Sequence, residues 1–126
     1  MKFQPDTFAG TNAISRREPG AVWVNNQRFE GSLLVPWKGE VRAWLAKDHA
    51  TLLAEHFGQV LALKPELVIF GSGARLRFIP AALYRSLIEA RIGLETMDSA
   101  AACRTYNVLA AEGRSVVAAL LPGTAD

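Results

Sequence analysis

Much is scarce in this chain of 126 residues, and each scarcity removes a class of function. It has a single cysteine, Cys103. No internal disulfide can form, which fits a reducing compartment and gives a cytoplasmic expectation. Long apolar runs are missing: the longest strongly apolar one is Val116 to Leu121, far short of the roughly 20 residues of a spanning helix, so the chain is not expected to be membrane-embedded. The stretch Met1 to Pro5 lacks an apolar core with a small-residue cleavage site, so no secretory signal is read there. Charge of one sign is not in excess, with 14 basic against 12 acidic side chains and a formal net charge of +2. Without a basic stripe interleaved with aromatics, nucleic-acid binding is not expected. Only two histidines occur, His49 and His56. On one helix they stand about 10 Å apart along the axis, too far to share a metal ion without other ligands, and no metal site is expected.

What is present reads as α/β. Ala13 to Arg17, Ala21 to Val24 and Gln27 to Val35 are rich in β-formers. Pro19-Gly20 and Asn25-Asn26 punctuate them, and asparagine tolerates the left-handed backbone of hairpin turns. Val41 to Leu45 predicts a further strand, with Val41, Ala43 and Leu45 on one face and Arg42 and Trp44 on the other. From there the period becomes helical. Leu52, Leu53, Phe57, Val60 and Leu61 predict a helix over Thr51 to Leu61, and Pro65 closes the segment. Leu67 to Phe70 is a buried strand; a second helix opens at Pro80-Ala81 with Leu83, Tyr84, Leu87 and Ile88 inward. Leu94 to Met97 is another strand, followed by a third helix capped by Asp98 or Ser99 and ended at Gly113. Ser115 to Leu121 is the last strand. The order predicts one α/β domain over 1–126, with tails at about 1–12 and 122–126. Its N-terminal antiparallel strands precede alternating helices and strands in a mixed sheet.

Gly71-Ser72-Gly73 after a strand invites comparison with a dinucleotide turn, but Leu76 stands where that fingerprint needs its third glycine. The hydrolase elbow fails too, because Phe70 and Ala74 replace its flanking glycines. No catalytic residues and no cofactor are therefore expected. The alternative to a protein-contact role is a small-anion or nucleotide-binding domain, or an uncharacterised enzyme, with a looser pocket between Gly71, Ser72 and Gly73 on one side and Asp98, Ser99, Arg104 and Asn107 on the other. In that reading Arg77 or Arg104 holds the anion. Cys103 sits at packing spacing with Ala100, Tyr106 and Ala110 and reads as a small buried hydrophobe. Asn107 shares its face, so part of the polar group on this helix points inward and serves the fold. Arg75, Arg85 and Arg91, with Arg77 among them and Glu89 the one acid, offer a surface for an acidic partner.

Leu67 to Gly73, Phe29 to Pro36, Trp44 and above all Met97 to Pro122 (MDSAAACRTYNVLAAEGRSVVAALLP) resemble the family called domain of unknown function 498. That family includes mitochondrial complex I (NADH dehydrogenase) assembly factor 3 together with archaeal and bacterial relatives. The resemblance implies a three-layer α/β domain with a mixed central sheet. It also implies a protein-binding or assembly role, and it supplies no catalytic residues to carry over. The family commonly has threonine where this chain has Ser72 and Ser99; both keep a hydroxyl. The expected function is a non-enzymatic protein contact, with an unidentified protein partner, in assembly of a respiratory complex.

Overall fold

Asparagine and glycine backbones shape the first layer of the computed structural model, which describes residues 10–124. The Met1 to Pro5 stretch and the end of the polar tail lie outside the described residues. Gly20 has φ +83°, and Asn25 and Asn26 have φ +51° and +70°, left-handed values suited to tight hairpin turns. They fold β1 (Ile14–Glu18), β2 (Ala21–Val24) and β3 (Gln27–Glu30) into a three-stranded antiparallel sheet in that order. The segment Gln27 to Val35, expected as one strand, is two. Gly31 takes φ +79°, incompatible with a continuous strand, and the chain turns out of the first sheet at Gly31-Ser32.

Beyond the bend, β4 (Leu33–Pro36) enters a five-stranded sheet ordered β5 (Arg42–Ala43), β4, β8 (Val116–Leu120), β6 (Leu67–Gly71), β7 (Gly93–Met97). β4 runs antiparallel to β5 and β8, whereas β6 is parallel to both β7 and β8. The fold is thus mixed α/β, with a mixed central sheet as expected. Its three central strands are apolar on both faces, as strands covered on both sides must be. Leu33, Val35, Leu67, Ile69, Val116, Ala118 and Leu120 face one core; Leu34, Val68, Phe70, Val117 and Ala119 face the other.

The first core is closed by the three-stranded sheet and by α3 (Ser99–Ala111), whose Ala102, Cys103, Tyr106 and Ala110 are buried. Small residues on α3 and Ala118 on β8 let helix and sheet approach closely. Fully buried Tyr106 places its hydroxyl 3.0 Å from the carbonyl oxygens of both Asn12 and Pro36. The second core is closed by α1 (Ala54–Leu61), a 3-10 turn (Ala81–Tyr84) and α2 (Arg85–Glu89). Trp44, Phe57 and Phe70 meet edge to face there, with ring centroids 5.6–6.0 Å apart.

Four local expectations change. The strand over Val41 to Leu45 shrinks to Arg42–Ala43; Trp44 turns into the core while Leu45 is 74% exposed. The first helix starts at Ala54, because Asp48 captures both the amide and hydroxyl of Thr51 in a turn. Ile88 is exposed, since the preceding 3-10 turn has three residues per turn and shifts the phase of the apolar stripe. Asn12, expected in a tail, is buried and donates to the carbonyls of Pro36 and Gly39.

Candidate functional site

The parallel strands β6, β7 and β8 deliver Ser72, Asp98 and Leu121 to one end of the sheet, beyond the strands' carboxyl termini. Asp98 caps α3 by accepting from the Ala101 amide at 2.9 Å. The helix start then lies against the glycine turn: the Ser99 amide donates to Gly73 O at 2.9 Å. Buried Ser99 Oγ accepts from the Gly73 amide at 2.9 Å and donates to Leu121 O at 2.8 Å. Gly71 is required by this approach, as a Cβ there would stand 2.9 Å from Ser99 Oγ and 3.0 Å from Ser99 Cα. The turn and the head of the helix do come together, and the Ser99 side chain fills the space between them.

The Ser72 hydroxyl is likewise engaged. It lies 2.8 Å from Arg75 O and 3.2 Å from Met97 O, and it accepts from the Arg77 amide at 3.0 Å. Beside it a cleft of about 50 Å³ is lined by Lys47, Asp48, His49, Ser72 and Gly73, among others. That volume suits a few waters; ligand pockets run to roughly 300–1,000 Å³. His49 Nε2 faces Phe78 O at 3.1 Å, and His56 Nδ1 accepts from the Leu53 amide at 3.0 Å, so each imidazole is tied to local backbone. Among the described residues no group of three or more His, Cys, Asp or Glu could hold a metal ion.

Arg104 and Asn107 lie farther along α3, away from the turn. With Ala100 and Cys103 they form one helix stripe facing Ile14, Ser15, Arg16 and Arg17 of β1 across an open groove of about 260 Å³. Asn107 is structural here. Its Oδ1 accepts from the Ile14 amide at 2.9 Å and its Nδ2 donates to Ile14 O at 2.8 Å, imitating the peptide of a neighbouring strand. Burial pushes the Cys103 thiol up to about 11, against the partial pull of Arg17 and Arg104, so it stays protonated and unreactive near neutrality.

The basic stretch does not form one patch. Arg75 follows the carboxyl end of β6, while Arg91 precedes the amino end of its parallel neighbour β7. The two therefore sit at opposite ends of the sheet, with exposed Arg85 on α2 between them. Half-buried Arg77 shares the loop of Arg75, where Leu76 and Phe78 are 50% and 73% exposed. Sequence reasoning overlooked this alternation of arginine with exposed apolar residues, although Arg75-Leu76-Arg77-Phe78 displays it. It also overlooked Arg16 and Arg17, which read simply as strand residues.

Among the described residues no helix is long and apolar enough to cross a membrane. The chain is similar to an uncharacterized protein of Rhodobacter capsulatus, 35% identical over 91% of this chain and 88% of that one. It is also similar to the NADH dehydrogenase [ubiquinone] 1 alpha subcomplex assembly factor 3 of Danio rerio, 29% identical over 94% of this chain and 68% of the relative. Among solved structures, a Mth938-like domain from Bordetella pertussis aligns with a TM-score of 0.84 at 30% identity, covering 98% of this chain and 94% of that one. Residues 14–121 match the family described as protein of unknown function (DUF498/DUF598), and by that match, which takes in both sheets and all three helices, the chain belongs to it.

Proposed function

We propose that this protein acts through protein contacts, as a cytoplasmic assembly factor for a respiratory NADH dehydrogenase. The observation that carries the reading is the similarity, over 94% of the chain, to a relative named as an assembly factor of that enzyme. The internal engagement of the Ser72 and Ser99 hydroxyls supports it, because both groups hold backbone in place. So does the exposed loop around Arg75, where Leu76 and Phe78 supply the apolar and aromatic contact that binding hot spots use.

The test is a deletion of the gene in its own organism, with native gels of the NADH dehydrogenase and a tagged full-length chain as bait. Reduced assembled enzyme and recovery of one of its subunits are expected, with recovery lost in Phe78→Asp. Unchanged assembly together with no recovered dehydrogenase subunit overturns the proposal.

A further inference from the structure

We infer that the groove between β1 and α3 receives an extended acidic segment of a partner protein, an inference that rests on the protein-contact reading above. The groove runs between two walls, the β1 wall bent by a bulge between Ile14 and Arg16. On one side Ala100, Cys103, Arg104 and Asn107 follow the i, i+3, i+4, i+7 stripe of α3; on the other lies the outer edge of β1. Small residues at 100 and 103 keep the floor low, and the volume of about 260 Å³ suits a few residues of extended chain.

Charge decides the class of occupant. Arg104 is the principal charge of the groove, and the four helix residues lining it include no acid. Arg16 and Arg17 border it from β1, with the Arg16 guanidinium stacked 4.5 Å over the Trp23 ring and that of Arg17 reaching toward Gly123. The acid beside them on β1 is Glu18, 3.6 Å from Arg16. Guanidinium forks match carboxylates in geometry, which suits aspartate or glutamate side chains carried on a peptide.

The backbone favours a peptide over a free anion. β1 pairs Arg17 with Val22 and Glu18 with Ala21, next to the two-residue turn Pro19-Gly20. In such a hairpin the closing pair exchanges hydrogen bonds and the next pair does not, so the Arg17 amide and carbonyl point away from β2. Ile14 has the same outward aspect, and there the Asn107 side chain already supplies the peptide-like partner. A bound segment would continue along β1 what Asn107 begins, pairing with Arg17 through main-chain bonds and setting its acids against the arginines.

The experiment titrates the full ¹⁵N-labelled chain with an eight-residue peptide of alternating aspartate and valine, followed by NMR. Saturable shifts of the Arg17 amide and of the 100–107 amides are expected, weakened at least tenfold by Arg104→Glu and absent with a lysine–valine peptide. Arg104→Gln, with a dispersed spectrum as the check on folding, gives a second variant and should weaken binding in the same direction. Overturning results are no saturable shifts, shifts centred elsewhere, binding insensitive to both Arg104 variants, or citrate binding as tightly as the peptide. If the wild-type bait recovers its partner and Arg104→Glu recovers it equally, the groove assignment fails while the protein-contact reading stands. If the wild-type bait recovers no dehydrogenase subunit and assembly is unchanged, that reading fails whatever the peptide does.

Discussion

The parallel strands β6 and β8 are tied together at both ends, but by different chemistry. At the carboxyl end the tie is neutral and buried: Ser99 Oγ joins Gly73 N–H to Leu121 C=O, beside the backbone bond from Leu121 N–H to Gly71 O. At the amino end it is charged and exposed: the Glu66 carboxylate accepts from the Ser115 amide at 3.0 Å and from Arg114 Nε at 3.1 Å. Each side chain satisfies backbone that the strand ladder leaves over. The difference lies in what replaces a lost partner. The bond at the Ser115 amide is exposed to water, whereas the Gly73 amide is buried against the head of α3, so the same kind of bond carries unequal weight.

Removing the buried tie should have the largest effect. Ser99→Ala leaves a buried donor and a buried acceptor unpaired, an expected loss of about 2–6 kcal/mol in urea unfolding at about 1–3 kcal/mol per group. Ser99→Thr keeps the hydroxyl and should recover most of it; equal losses in both variants would break the argument. Gly71→Ala comes next, because the new Cβ meets Ser99 Cα at 3.0 Å, a backbone atom that cannot rotate away. About 1–3 kcal/mol is expected from overpacking, measured in the same way.

The two ends also differ in how far the sequence revealed them. The helix cap, offered by the sequence as Asp98 or Ser99 and found at Asp98, is local chemistry, as are Gly113 after the third helix and the Asn25-Asn26 turn, which stand where the residues predicted. The strand at Leu67 and the alternation of helices with strands were legible for the same reason. Contacts made across the chain were not. Ser99 finds its partners 22 and 26 residues away, and Asn12 finds Pro36 and Gly39 only once β4 is in place. The joint arrangement of Arg75 and Arg91 misled for a related reason: the chain crosses back along α2 between them, which separates near neighbours in sequence. A resemblance spanning most of the chain identified the family and the layered fold, but it held no information about which hydroxyl bonds to which amide.

Between the extremes lies Asn107, part-buried, with two bonds to Ile14. Asn107→Ala should cost about 1–2 kcal/mol. It should also speed hydrogen exchange at the Ile14 amide while leaving the Gly73 amide protected, which localises the loss to the seam between β1 and α3. Equal acceleration at both amides would mean that the seam and the carboxyl-end junction open together, and that the two regions are not independent.

The smallest effect belongs to the exposed end, and its signature is pH. The bond from the Ser115 amide, then that from Arg114, hold the Glu66 carboxyl below its ordinary value of 4.5. A carboxyl held low in the folded state stabilises the fold at pH values above its unfolded pKa, and that contribution disappears as pH falls through the folded value. Glu66→Gln removes the titration. Wild type should therefore exceed the variant modestly in melting temperature at neutral pH, with the gap closing as pH drops below about 4.5, and sooner in high salt. The Ser99→Ala deficit, made by neutral groups, should remain constant over the same range. A Glu66 gap that persists at low pH would assign the amino-end tie to packing instead of charge, and the contrast between the two ends would then rest on burial alone.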